Sequence, residues 1–268
     1  MILLIHGAGV SARTWAHQLR HLSRLGTPIA IDLPGRRESD AVPHPTLALY
    51  VDAASALLDG IGDAPVFVAG HSLGGAVAQL LAARQPDRVK GLILMSTCVR
   101  VPPGEGAHQL LGLVPLPFRR VVFLSAVRRL LLAPSASFDA IGLTLDELGG
   151  CPTSTIQHDT RIGRVMDMRD VARALRVPTL VLCGSGDRLT PPALSRQLAD
   201  TIVGARLQIV PAVGHMLPLE APDVVNRAIS DFIASVSQAD AVGGGRLRTA
   251  ARFVERLRRW RPWWRRSR

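Results

Sequence analysis

The chain has 268 residues, of which 47% are apolar and only 4% aromatic, so it can bury one large α/β core built mainly from aliphatic side chains. Cys98, Cys151 and Cys183 are too few and too scattered for a disulfide framework and make no C-x-x-C pair, which argues against a zinc site and for a reducing, cytoplasmic setting. The formal charge of +11 excludes less than it suggests, because residues 243–268 carry ten arginines against the single acid Glu255 and leave residues 1–242 close to neutral.

"MILLIH" reads as a short apolar strand that ends at His6-Gly7, and residues 13–25 follow with helical spacing. The chain thus opens straight into a strand, with no charged segment, apolar core and cleavage site before it, and signal-peptide export is not expected. "PIAID" (28–32) is a second strand leading into the loop "LPGRRESD", and residues 46–60 repeat apolar side chains at helical spacing. Then comes the apolar run Val66–Ala69, the stretch "GHSLGG" (70–75) and a helical "GAVAQLLAARQP". Ser72 therefore sits at a strand-to-helix turn in the pattern G-x-S-x-G, where strained backbone angles aim its hydroxyl out of the sheet edge and the helix start offers free N–H groups. A glycine-rich turn also serves simply to join strand and helix, so the motif needs partners before it means chemistry.

"GLILMS" (91–96), "PTLVLCG" (178–184) and "RLQIV" (206–210) have the nearly continuous aliphatic content of parallel strands covered on both faces. Strands alternating with helices predict a doubly wound, mostly parallel α/β sheet with right-handed crossovers. Residues 99–175 hold no convincing strand and are too many for a structureless loop, so they are expected to form a helical cap inserted between core segments 1–98 and 176–242. The apolar stretches "LLGLVPLP" and "VVFLSAV" within this insertion suit a pocket for an apolar acyl group, although they equally suit helix faces packed on the core.

A serine nucleophile needs a base, and the base needs an orienting carboxylate. Asp187 follows strand 178–184, and His215 follows strand 206–210 just before a final helix over 222–235. Both lie at the same carboxyl edge as Ser72, and the order Ser72, Asp187, His215 is the one this architecture uses. Glu220 and Asp32 stand next in line for the acid. The backbone N–H groups of Leu73, at the helix start, and of Ala8, between Gly7 and Gly9, are the candidate donors to an oxyanion. His6 and His71 read as structural, since His215 already fills the role of base.

The blocks "HGAGVSARTW", "DLPGRRESD", "GHSLGGAVAQLLAARQPDRVKGLILMS", "PTLVLCGSGDRLTP" and "VGHMLPLEAPDVVNRAISDFI" resemble those of the α/β-hydrolase superfamily, in its order, over residues 1–235 outside much of the insertion. The resemblance implies Ser72 as nucleophile, Asp187 as orienting acid, His215 as base and then acid, and Ala8 and Leu73 as oxyanion donors. It implies a serine hydrolase of a small-molecule carboxylic ester, before an amide or thioester, with no metal or organic cofactor. The same triad also serves C–C bond hydrolases and perhydrolases, and the fold also serves non-catalytic binding proteins. Two departures stand out. Relatives usually have one or two strands and a hairpin before the His-Gly block, so the sheet is expected to lack its antiparallel edge; and Arg37 stands where relatives place a second glycine.

Beyond a triple-glycine linker (243–245), residues 246–261 place Leu247, Ala250, Ala251, Phe253, Val254, Leu257 and Trp260 on one broad helical face, which Arg258 interrupts, and Arg248, Arg252, Arg256 and Arg259 opposite. Such a basic amphipathic tail with terminal tryptophans suits an anionic membrane surface, against the alternatives of a solvated or docked tail, with nucleic acid the least favoured partner. No apolar stretch approaches the ~20 residues that span a bilayer.

Overall fold

The computed structural model describes residues 1–40, 42–101, 125–126 and 128–239. The strands are β1 (Ile2–Ile5), β2 (Pro28–Ile31), β3 (Val66–His71), β4 (Val89–Met95), β5 (Thr179–Gly184) and β6 (Arg206–Val210). They form one sheet in the order β2-β1-β3-β4-β5-β6, and every pairing among the described residues is parallel. The half-buried β2 is one edge, where the sequence led us to expect an uncovered strand, and β6 is the other, with Arg206 and Gln208 exposed.

Side chains alternate between the two faces, as the strand period of two requires. Leu3 and Ile5 of β1, Val68 of β3 and Leu92 and Leu94 of β4 pack against α2 (Leu47–Gly60) and α3 (Leu73–Arg84) through Tyr50, Leu58, Val77 and Leu81. Ile2, Leu4, Phe67, Ile93 and Met95 face the other way, onto Trp15, Leu22 of α1 (Ala16–Leu22) and Val225, Ile229 and Phe232 of a C-terminal helix at residues 222–239. The expected first helix begins instead as a tight turn, Ala12–Trp15, because Asp32 Oδ1 accepts the Ala12 N–H at 2.7 Å and Ser11 caps Arg13.

The chain runs from β1 outward to β2, then crosses back to place β3 on the other side of β1. This reversal puts the loops after β1 and β3 side by side at the carboxyl edge, the position at which open α/β sheets hold ligands. Between β4 and β5 the described residues contain no strand but do contain α4 (Phe138–Gly150), α5 (Thr153–Val165) and α6 (Arg169–Ala174). The first two cover the carboxyl edge, while Met168, Ala172 and Leu175 are buried in the α3 core layer, so packing passes from cap to core before residue 176. The tail 243–268, the stretch 110–117 and all but two residues of 121–127 lie outside the described residues. No helix among the described residues is long and apolar enough to cross a membrane.

Candidate active site

Ser72 is the residue between β3 and α3, and its φ of 52° and ψ of −118° are the strained angles expected of a sharp strand-to-helix turn. The turn is held by the Ser72 N–H donating to Met95 O at 2.9 Å and the Gly75 N–H donating to Ser72 O at 2.9 Å. Its tightness needs glycine at position 74, where a Cβ would run into the carbonyls of Ile5 and His6. Ser72 is half-buried, so its hydroxyl is not sealed in the core.

Asp187 and His215 are brought together. His215 Nδ1 lies 2.9 Å from Asp187 Oδ2 and 3.1 Å from Oδ1, with both residues buried. An ionised carboxylate can only accept, so Nδ1 carries a proton, and in the neutral tautomer that this bond selects Nε2 is the nitrogen with the lone pair. Asp187 also accepts the N–H groups of Leu189 and Thr190 at 2.9 and 2.8 Å, and Thr190 Oγ1 lies 2.9 Å from its Oδ2. Burial alone would raise the Asp187 pKa. The charge and hydrogen bond of His215, with those bonds from Thr190, outweigh burial and hold it below the usual carboxylate value.

His71 joins the two halves of the site. It precedes Ser72, its Nε2–H donates to His215 O at 2.9 Å, and its ring centroid lies 5.0 Å from that of His215. Burial first, and then the neighbouring His215, push its pKa down to about 3. It is therefore a neutral spacer, as the sequence suggested. Ser72 follows His71 directly in the chain, so the bond from His71 to the His215 carbonyl links the two segments, and no hydrogen bond joins Ser72 to His215 among the described residues.

The loop after β1 comes up beside the serine. A Cβ on Gly7 would lie 3.1 Å from Ser72 Cβ and 3.0 Å from His71 Nδ1, so the close approach depends on the bare backbone. His6 shapes this loop: Nδ1–H donates to Gly7 O at 2.8 Å while Nε2 accepts the Leu33 N–H at 3.0 Å. Gly7 C=O and the Ala8 N–H belong to one trans peptide and point in opposite directions, so fixing the carbonyl fixes the N–H. Burial pushes the His6 pKa down to about 4 and keeps this arrangement neutral. Neither the Ala8 nor the Leu73 N–H has a hydrogen-bond partner among the described residues, and both flank Ser72.

Neither alternative acid touches the His215 ring. Asp32 caps the Ala12 turn, and Glu220 instead accepts the N–H groups of Ala133 (2.7 Å), Gly214 (3.1 Å) and Met216 (3.1 Å), clamping the loop that carries His215. Thr190 went unread in the sequence; its signal is the short spacing Asp187-x-x-Thr190, typical of a turn in which the acid takes backbone N–H groups. Cys98 and Cys183 are no rival nucleophiles, since burial pushes both thiols up to about 12.

Against known proteins, a sequence model of the alpha/beta hydrolase family matches residues 2–228. The pimeloyl-[acyl-carrier protein] methyl ester esterase of Neisseria meningitidis serogroup B is 28% identical over 242 residues, covering 87% of this chain and 92% of the relative. The 2-hydroxymuconate semialdehyde hydrolase of a Pseudomonas species is 28% identical over 252 residues, covering 89% and 88%. Among solved structures, a thermophilic esterase from Thermogutta terrifontis superposes with a TM-score of 0.78 at 28% identity, covering 88% of this chain and 89% of its own.

Proposed function

The chain belongs to the alpha/beta hydrolase family, and from that premise we propose that it is a serine hydrolase of small carboxylic esters. The observation that supports the reading is the buried Asp187–His215 pair, which occupies His215 Nδ1 and leaves Nε2 to act as base, on a segment bonded to His71, the residue before the strained Ser72. His215 Nε2 takes the Ser72 Oγ proton as Oγ adds to the ester carbonyl. The carbonyl oxygen becomes an oxyanion facing the N–H groups of Ala8 and Leu73. His215 returns the proton to the departing alkoxide as the C–O bond breaks, leaving an acyl-enzyme. Water then attacks the acyl carbon, giving its proton to His215, and Ser72 leaves as the restored alcohol. The acid product keeps the acyl group.

The apolar cluster of Val10, Leu148, Met216 and Leu219, with Ile156 against it, lies beside both the Ala8 loop and His215, which favours an apolar acyl group. The Neisseria relative's name supports an ester, and the Pseudomonas relative supports a second reading, hydrolysis of a C–C bond in a vinylogous diketone by the same residues. Turnover of p-nitrophenyl esters against such a diketone separates the two. Ser72→Ala tests the common premise: it should remove at least ~10³-fold of turnover with the fold intact, and a loss below about tenfold, ~1.4 kcal/mol of barrier, overturns it. We further read the arginine-rich tail 243–268 as a surface-seeking segment for anionic membrane, separate from the chemistry.

A further inference from the structure

We propose that Asp159, on the cap helix α5, is a positioning residue that holds the Gly7–Gly9 loop so that the Ala8 N–H faces the oxyanion. The inference rests on the serine-esterase reading of the site and extends it to a residue in the cap.

Ala8 sits between two peptide planes. His6 fixes the plane before it through Gly7 O, and the plane after it is fixed by the Gly9 N–H donating to Asp159 Oδ2 at 3.1 Å. Asp159 is itself held from two other segments. Arg36, in the loop after β2, donates to Oδ2, and the Tyr50 hydroxyl of α2 donates to Oδ1 at 2.7 Å. All three side chains are buried, at 1%, 3% and 0% exposure. Gly9 has a φ of 69°, and cap side chains close over it: a Cβ there would lie 2.9 Å from Leu148 and 3.4 Å from Ile156. One hydrogen bond and two packing contacts from the cap therefore converge on the residue next to the proposed oxyanion donor.

Stability alone is a weak reason for such a group. Desolvating an ion pair offsets most of its attraction, and an apolar trio of similar volume often does as well. Arg36 Nε is moreover buried without a partner, a cost that an apolar seam would not incur. What the carboxylate supplies and an apolar side chain cannot is a directional acceptor for one particular N–H. The 7–8 and 8–9 planes meet at Ala8 through two soft dihedrals, so His6 alone leaves the loop one loose side; anchoring the second plane as well removes the freedom with which the Ala8 N–H could drift from the oxyanion.

The test compares Asp159→Ala, Asp159→Asn and Tyr50→Phe with the native protein. It reads kcat and KM on p-nitrophenyl acetate and the affinity for a trifluoromethyl ketone. Ser72 Oγ adds to that ketone, passing its proton to His215 and creating the same oxyanion. We expect Asp159→Ala to lower kcat about 10–100-fold, short of the full loss of an oxyanion donor, with ketone affinity falling by the same factor and KM nearly unchanged. Asp159→Asn keeps an oxygen for the Gly9 N–H and should recover most of both. Tyr50→Phe, which frees Oδ1, should lower both together by a few-fold. Native values in Asp159→Ala, a loss carried by KM with ketone affinity unmoved, or a loss that Asn does not rescue would each overturn the proposal. Should Asp159→Ala not fold, the Asn and Phe variants decide: unchanged ketone affinity and kcat in Tyr50→Phe, or loss in Asp159→Asn as large as loss of Ser72, counts against it. Absence of Ser72-dependent turnover in the native protein sinks the esterase reading and this inference with it, whereas native turnover with undiminished Asp159→Ala sinks this inference alone.

Discussion

The sheet and the cap hold their shares of the site by different forces. β1, β3 and β5 present Ala8, Ser72 and Asp187 from the ends of fully buried strands, where burial contributes roughly 25 cal/mol per Å² whatever the direction of contact. The cap adds ties of charge to the small apolar cluster around Leu148 and Ile156. Glu147 on α4 receives Arg37 at 2.6 Å and Arg13 at 3.2 Å, and Asp159 on α5 receives Arg36, all three arginines coming from core loops. Arg37 has a φ of 32°, the left-handed backbone that a glycine would adopt more cheaply, while its guanidinium holds Glu147. The cap meanwhile leaves Phe138 and Val165 exposed, at 92% and 75%. On the proposed mechanism, a sheet built this way sets where the chemistry occurs. A cap attached through a few directional contacts can be altered without moving the sheet.

Four perturbations probe that contrast, from the strongest expected effect to the weakest. Asp187→Asn keeps the shape of the sheet edge but favours the wrong His215 tautomer, and should cost about 10³–10⁴-fold in kcat on a soluble ester; an undiminished rate would detach the acid role from Asp187. On the cap, Glu147→Gln removes the buried charge that Arg13 and Arg37 share and leaves them the exposed Asp146, at 2.7 and 3.6 Å. Since Arg13 and Arg37 are 49% and 38% exposed, the loss should be about 1–2 kcal/mol, a fall of several degrees in Tm, with kcat/KM on an acetate ester within about threefold. A larger loss of activity than of stability would mean that the cap and the sheet are not separable in this way. The third perturbation is pH. His6 and His71, pushed down to about 4 and about 3, refuse protons that the unfolded chain accepts below about 6.5. Stability should therefore fall as pH drops from 6.5, with the His6 share of the loss complete near 4. Urea unfolding at pH 7, 6 and 5, with ring signals followed by NMR, checks this; a His6 ring titrating near 6.5 contradicts it. Last, removing residues 243–268 should leave soluble-ester turnover within about twofold, because every residue of both halves of the site precedes the tail. The same deletion should release the protein from anionic vesicles in a co-sedimentation assay, and equal pelleting would return the tail to a solvated extension.

The legibility of the sequence follows the same division. Continuous aliphatic runs such as Val66–Ala69 and "PTLVLCG" announce buried parallel strands, and Ser72 and Asp187 each follow one. His215 instead follows "RLQIV", which reads as covered on both faces but forms the exposed edge strand β6, because no further strand pairs beyond it among the described residues. What local pattern misses is the set of contacts between distant segments. Gly9 and Asp159 are 150 residues apart, and Arg37 and Glu147 are 110 apart, with no periodicity linking them. An aspartate on a helix as rich in polar side chains as α5 reads as solvated, and only the fold shows it turned inward onto Tyr50 and Arg36. Glu220 shows the intermediate case. Its place near His215 was readable, but its partners, three backbone N–H groups, were not.

The proposed chemistry depends first on Ser72 being an activated nucleophile at the sheet edge, and a fluorophosphonate probe reports that directly. Serine Oγ attacks phosphorus and expels fluoride only where a neighbouring base accepts its proton. Treating the native protein and mapping the labelled peptide should give a single adduct on Ser72, lost in Ser72→Ala and strongly slowed in Asp187→Asn. Native protein that takes up no probe, or an adduct on another serine with Ser72 unmodified, would contradict it.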